Sequence, residues 1–363
     1  MKKKRYLAID GGGTKAIVSL VYLSYLEYQL GTPIVKIFDL MAGSSSGGIL
    51  ASALALPHPD DIHLPKEEQR PKFTVNELMT MYLDMSNKVF KCNLGNSIAN
   101  LWGLLGPRYD SSRLEDFLDE EFDAVRGKEL LTEVMTTAYN LDLHQPSAFN
   151  SRSPEHRDLL VKEMVMATTA APTYFSPHEI KGLGRYVDGA IFAPTPAIWL
   201  LMGLERLFSS KPEDLGEEIM NTTLVSIGTS SLNPSMSNRY DGAEDWGLLK
   251  WVMSIFEVFD DGVTDTIDRQ IKALLKDNSY RLDVKVTDLQ DLALDNTDKT
   301  RLKSLYDLTK ESIFKPDYQD IRELVYELQS QMESEGVLPK CCKVGELKDH
   351  DTWVRAMDKS VGF

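Results

Sequence analysis

Two short apolar runs in the first fifty residues each end at glycine, and this constrains the fold more than any other feature. Arg5–Asp10 (RYLAID) runs into Gly11-Gly12-Gly13, and Val35–Ala42 (VKIFDLMA) runs into Gly43-Ser44-Ser45-Ser46-Gly47. Between them, Ile17, Val18, Leu20, Val21, Leu23, Leu26 and Leu30 recur at helical spacing, and Gly31 stands where a C-cap would. Ile49–Leu56 is helical again until Pro57 stops it. A short apolar run closed by glycine reads as a buried strand entering a turn. The opening is therefore β-α-β-α. Two parallel strands joined through one helix cross over right-handed and end at the same edge of the sheet. Both glycine turns then face one crevice, where open α/β sheets place ligands. Each turn opens a helix, so free N–H groups and the positive dipole end point there.

The rest of the chain continues the alternation. Val75–Val89 and Leu159–Thr168 read as helices, and Leu114–Phe122 as a short amphipathic one. Leu130–Asp142, Arg185–Ala190 and Leu224–Ile227 read as strands. Beyond Trp246 the pattern is mostly helical, apart from Arg281–Val286, which alternates like an edge strand. The expected fold class is α/β: three α/β/α layers around a mostly parallel central sheet. Pro57–Pro71 is a proline-rich charged loop. Asn96–Gly106 (NSIANLWGLLG) carries enough apolar bulk to be a candidate for interfacial contact.

Composition excludes several functions. With 40 basic and 55 acidic residues in 363, the formal charge is -15. A nucleic-acid binder relies on clustered Lys and Arg, so no nucleic-acid partner is expected. Docking on anionic lipid by bulk charge is disfavoured for the same reason. Lys2-Lys3-Lys4-Arg5 is followed too soon by Asp10 for a signal peptide, and no apolar run is long enough for a membrane span. The expected location is cytoplasmic, peripheral at most to membranes. Cys92, Cys341 and Cys342 form neither a disulfide framework nor a metal spacing. No metal and no cofactor are expected.

Gly43–Gly47 has a linker's composition, but apolar runs flank it tightly, as in a strand-turn-helix elbow with Ser45 at its centre. A serine hydroxyl beside convergent backbone donors suits acyl transfer, provided a base activates it. The histidines are His58, His63, His144, His156, His178 and His350. Only His350 follows the candidate carboxylates in Ser-Asp-His order, and it lies in the very polar segment Lys348–Asp351. A carboxylate base is left as the other option: Asp188 ends a short strand at Asp188-Gly189, although taken alone this pair reads more simply as a plain Asp-Gly turn. The glycine triplet matches neither a P-loop nor G-x-G-x-x-G. An actin-like sugar kinase would need a β-hairpin after it.

Taken together, four blocks in order resemble the patatin-like phospholipase family. These are Asp10-Gly11-Gly12-Gly13-Thr14-Lys15, Gly43-Ser44-Ser45-Ser46-Gly47, Ala167–Phe175 (ATTAAPTYF) and Asp188-Gly189-Ala190. Val225–Thr229, Trp246-Gly247 with Trp251, and Tyr280–Asp283 also look like the family, so the resemblance covers Arg5 to Ile313. Ala16 departs from the family's usual glycine. The resemblance implies a Ser-Asp dyad with Ser45 as nucleophile, Asp188 as general base and the Gly11, Gly12 and Gly13 amides as oxyanion hole. Asp10, Lys15, Gly43, Gly47 and Gly189 support them. It implies a serine hydrolase cleaving glycerolipid acyl esters through an acyl-enzyme, of phospholipase A or lysophospholipase type. Its substrate would be a phospholipid or lysophospholipid, met in transient contact with a membrane surface. An activating partner or nucleotide signal stays open. The alternatives are a non-catalytic storage or binding protein on the same fold, and a Ser-Asp-His esterase using His350. The hydrolase domain is expected over 1–315, with 316–363 as a helical, polar extension packed on it or trailing it. An ordinary Asp is a weak base at neutral pH, so a low-dielectric setting for Asp188 is expected.

Overall fold

The computed structural model describes residues 3–91, 106–203, 216, 219–233, 240–245, 247–287, 293–315 and 319–362. Cys92, Trp246 and residues 96–105 of the apolar Asn96–Gly106 stretch lie outside them. β1 (Lys4–Ile9) leaves through the glycines into a 3-10 turn over Gly13–Ala16 and then α1 (Ile17–Leu30). Only Glu27 and Tyr28 of α1 escape full burial. A helix this apolar on all sides belongs inside a fold. Gly31 takes the left-handed conformation, φ 64°, and ends it as expected.

Val35–Ala42 is not one strand. Ile34–Ile37 forms a single helical turn after Pro33, and only β2 (Leu40–Gly43) is extended. Ile34, Val35 and Ile37 bury in the same core as α1 either way, and a short apolar run does not by itself choose between helix and strand. α2 (Ser46–Leu54) begins three residues before the apolar signal at Ile49. α3 (Val75–Val89) matches its expected bounds because Thr74 and Glu77 form a capping box at its start. The Pro57–Pro71 loop closes on itself through a bridge between those prolines and an Asp61–Arg70 ion pair of 2.7 Å.

Next come α4 (Ser112–Phe122), β3 (Glu133–Asn140), β4 (Gln145–Asn150), α5 (Val161–Thr169), β5 (His178–Ile180), β6 (Gly184–Asp188) and α6 (Ala197–Met202). They are followed by β7 (Thr222–Ile227), β8 (Ser231–Leu232), α7 (Leu248–Leu275), β9 (Ser279–Leu282) and β10 (Lys285–Val286). α8 (Lys299–Phe314), α9 (Gln319–Ser334) and α10 (His350–Val361) complete the described helices. The Arg281–Val286 run is broken at Asp283. β9 is the edge of the main sheet, whereas β10 pairs with β8.

The main sheet runs β5-β6-β3-β2-β1-β7-β9, with β4 beside β3. β9, β7, β1, β2 and β3 are mutually parallel. Side-chain alternation sends Leu7, Ile9, Met41, Val225 and Ile227 into the core shared with α1. Tyr6, Ala8, Leu40, Ala42 and Leu224 face the opposite layer, with Leu200 of α6 and Ile271 of α7. The sheet is thus covered on both faces, as a parallel sheet must be. α9 packs on β9 and α1, and α10 packs on α3 and α1. Trp353 of α10 is buried edge-on against Tyr25 of α1, ring centroids 5.1 Å apart.

One pairing detail governs the site. β4 runs along β3 from Met135 to Asn140, and so occupies one edge of β3. β2 (opposite Glu133–Thr136) and β6 (opposite Ala138–Asn140) must therefore share the other edge. β2 is parallel to β3 and β6 antiparallel, so their C-terminal ends meet head to head. Gly43 lies opposite Thr136 and Asp188 opposite Ala138, with Thr137 between.

Candidate active site

Ser45 stands between β2 and α2 with φ 52° and ψ -125°, a strained conformation for a residue with a side chain. The turn is as tight as glycine allows. A Cβ at Gly43 would lie 2.1 Å from the Gly47 carbonyl oxygen, and one at Gly47 would lie 2.2 Å from that of Ile9. The second contact fastens the elbow against the end of β1. The Ser45 N–H donates to Thr168 Oγ1 of α5 at 3.0 Å. Ser45 is half-buried, and its hydroxyl is near enough to the Asp188 carboxyl to favour the ionised form.

Asp188 ends β6 at 2 % exposure. Its N–H donates to the Ala170 carbonyl at 3.0 Å, and its Oδ1 accepts the Ala190 N–H at 2.8 Å. The ATTAAPTYF block thus holds both residues, Ser45 through Thr168 and Asp188 through Ala170. Burial pushes the Asp188 carboxyl up to about 7, against the opposing pull of the Ser45 hydroxyl and the Ala190 amide. None of the causes of this shift is a cation. The carboxyl is therefore poised between acid and base near neutral pH.

The glycine loop lies beside the elbow, as the neighbouring parallel strands require. Ile9 is opposite Gly43 in the β1–β2 register. The Gly12 N–H donates to Ser46 Oγ at 3.0 Å, and the Gly11 N–H donates to the Pro194 carbonyl at 2.9 Å. The Gly13 N–H has no partner among the described residues. It is the first amide of a 3-10 turn, where a donor is ordinarily left over. The loop's carbonyls are tied back: Gly11 O accepts Thr229 Oγ1 at 3.0 Å, and Gly13 O accepts the Tyr82 hydroxyl at 2.8 Å. Beyond it, the Thr14 N–H donates to the Leu294 carbonyl at 2.8 Å.

Asp10 and Lys15 flank the loop, each 5 % exposed. Asp10 Oδ2 lies 2.7 Å from Nη2 of Arg281, a β9 residue. Burial raises the Asp10 carboxyl and Arg281 pulls it back down, leaving it above the usual carboxylate range. The charge of Lys15 is felt by Asp260 of α7, which burial pushes up to about 6. Among the described residues, no three His, Cys, Asp or Glu side chains gather as a metal site. No helix among them is long and apolar enough to cross a membrane.

Residues 7–200 match the family model described as Patatin-like phospholipase, more than half of the chain and inclusive of Ser45 and Asp188. The chain belongs to the patatin-like phospholipase family. Patatin-like protein 3 of Arabidopsis thaliana is 26% identical over 310 residues, 76% of this chain and 72% of the relative. Patatin-08 of Solanum tuberosum is 29% identical, covering 70% of this chain and 68% of its own. Probable inactive patatin-3-Kuras 1, from the same plant, is 27% identical over 69% of each. Lipid acyl hydrolysis is the activity typical of the family, and the name of the last relative shows that membership alone does not guarantee it.

Within this patatin-like site, the structure brings Ser45, Asp188, Gly12 and Gly13 together on one sheet edge. Gly11 is there too, but its amide is committed to Pro194. His350 is not among their contacts: it begins α10, packs its ring on Phe314 and lies 3.1 Å from Asp351. Several supporting roles escape sequence reasoning. Ser44 Oγ accepts the Thr137 hydroxyl at 3.0 Å, and Ser46 Oγ accepts the Gly12 amide. Thr168 lies in a block that sequence could single out. So does Thr229, whereas Pro194 and Tyr82 carry no such signal, because their roles depend on long-range packing.

Proposed function

We propose that this chain hydrolyses acyl esters of glycerolipids, with phospholipid or lysophospholipid as substrate. Ser45 serves as nucleophile and Asp188 as the only general base. The observation that carries this reading is the head-to-head meeting of two strand ends, which sets a buried carboxyl, raised by burial and with no cation beside it, next to a serine on a strained elbow.

Asp188 takes the Ser45 proton as Oγ attacks the ester carbonyl. Its raised pKa suits it to hold that proton at neutral pH and then pass it to the departing alcohol. Deacylation repeats the cycle with water in place of serine. The growing negative charge on the carbonyl oxygen goes to the Gly13 amide, and to Gly12 when it turns from Ser46. An oxyanion is a stronger acceptor than a neutral hydroxyl, so that exchange is favourable. Gly11, through Pro194, holds the loop rather than donating. The helix start at Ser46 adds the positive end of its dipole.

The test is mass spectrometry of phospholipid vesicles before and after incubation with wild type, Ser45→Ala and Asp188→Asn. Wild type should release free fatty acid, and neither variant should. Release by Ser45→Ala would overturn the reading. Failure of the wild type to release fatty acid, or of a fluorophosphonate to label Ser45, would favour a non-catalytic binding protein.

A further inference from the structure

The three consecutive glycines of the oxyanion loop have no side chains with which to hold themselves, and glycine is the residue with the widest backbone freedom. The last side chain before them is Asp10. It is buried, it immediately precedes Gly11, and its carboxylate turns away from Ser45 toward Arg281. The register explains how Arg281 gets there. Arg281 on β9 lies opposite Ser226 on β7, and Ser226 lies opposite Ala8 on β1. Ala8 and Asp10 are two residues apart on the same face, so the Arg281 side chain crosses β7 to reach the end of β1.

The guanidinium uses three nitrogens on three elements. Nη2 pairs with Asp10 Oδ2 at 2.7 Å, Nη1 donates to Ser226 Oγ at 2.8 Å, and Nε pairs with Asp268 Oδ2 of α7 at 3.1 Å. A rigid fork with this many donors fixes direction as well as charge. Arg281 lies beyond the 7–200 stretch matched by the family model and makes no contact with Ser45 or Asp188.

We infer that Arg281 is the positioning residue of the glycine loop: by clamping Asp10 to β7 and α7, it sets where the Gly12 and Gly13 amides point. This rests on the acyl-transfer reading of Ser45. Small misplacement of oxyanion donors costs rate rather than substrate affinity, because the donors meet their full charge only in the transition state.

The test is steady-state hydrolysis of a soluble ester, p-nitrophenyl butyrate, by the full chain carrying Arg281→Met or Arg281→Lys. The folded fraction of each is measured by circular dichroism. Per folded molecule, Arg281→Met should lose kcat by about 100-fold with KM within about 3-fold, the scale expected for misplaced catalytic donors. Arg281→Lys, which can keep one of the three contacts, should fall between it and wild type. Wild-type kcat per folded Arg281→Met molecule would overturn the inference, since a purely structural role lowers only the amount folded. Should Arg281→Met not fold, Asp10→Asn, which keeps the shape and removes the charge, carries the same test. It should lower kcat at nearly constant KM, and full kcat would overturn the clamp. Ser45→Ala is the control: hydrolysis surviving there defeats the acyl-transfer reading itself, a result separable from a failure of Arg281 alone.

Discussion

Asp10 and Asp188 are near twins in position. Asp188 is the last residue of β6 and Asp10 follows directly on β1 in the same sheet; each precedes a glycine, and each is almost completely buried. They differ in company. Asp10 faces Arg281 at 2.7 Å, whereas Asp188 has no cation beside it among the described residues, and its Oδ1 accepts the Ala190 amide. A buried carboxylate with a cation is an anchor, and removing either partner leaves the other stranded. A buried carboxyl without one is held near neutrality, able to take a proton and return it. The same residue type, at equivalent places in one sheet, is turned to structure or to chemistry by a single neighbour.

The sharpest way to break this comparison is to remove the proton acceptor. Asp188→Asn keeps the shape and the Ala190 contact and should lower ester hydrolysis by about 1,000-fold or more, as should Ser45→Ala, since nucleophile and base act as a unit. Asp188→Asn retaining more than a tenth of wild-type turnover would show that another group takes the proton.

The second expectation concerns pH. The base must be ionised to act, so kcat/KM should rise with pH through a limb near 7, where burial places Asp188. A histidine would give a similar limb, so His350→Gln distinguishes them. With Asp188 as base, that variant should leave both rate and limb unchanged. A limb near 4 would mean that Asp188 is hydrated as the enzyme works.

The third pits the twins against each other in stability. A folded pKa raised above the unfolded value means that ionising the group disfavours the fold. Asp188 should therefore destabilise the protein increasingly as pH rises from about 4 to 7, and fully above that. Asp188→Asn should raise stability at pH 8 by up to about 4 kcal/mol, from about 1.4 kcal/mol per pKa unit, and the gain should vanish by pH 4. Asp10→Asn should gain less at pH 8, because Arg281 offsets part of the burial cost of the Asp10 carboxylate and is itself left with one acid fewer. Thermal unfolding of both variants at pH 4 and pH 8 measures this. Equal gains at pH 8 would erase the distinction between anchor and base.

How much of this was legible follows from the range of the interactions. α1, α3 and the ends of β1 and β6 rest on local spacing, on Gly31 and on the Thr74–Glu77 box, so they could be read in order along the chain. The resemblance named the two site residues, and the parallel β1–β2 pair placed the glycine loop by the elbow. The head-to-head meeting of β2 and β6 could not be read, because it requires β4 to occupy the opposite edge of β3. The split of Val35–Ala42 was hidden by an apolar run that buries equally well as turn or strand. Arg281 could be placed on an edge strand, but its partner Asp10 is brought to it only across β7. Hydrogen-bond assignments within the loop, such as Gly11 to Pro194, belong to tertiary packing and leave no mark on local sequence.

The smallest effect expected tests what keeps the twins' neighbourhoods apart. Thr137 is the rung of β3 between Gly43 and Asp188, and its hydroxyl donates to Ser44 Oγ at 3.0 Å. Thr137→Val keeps the branched shape and loses only that donor. The backbone ladder on both sides of the rung is untouched, so the spacing of Ser45 from Asp188 should hold. The variant should lose about 1 kcal/mol of stability, the ordinary worth of one buried hydrogen bond, while Ser45 labelling by a fluorophosphonate stays within about 3-fold of wild type. A large drop in labelling at unchanged melting temperature would mean that the hydroxyl pair sets the gap between the two strand ends. Ser44 would then be part of what aligns the nucleophile with its base.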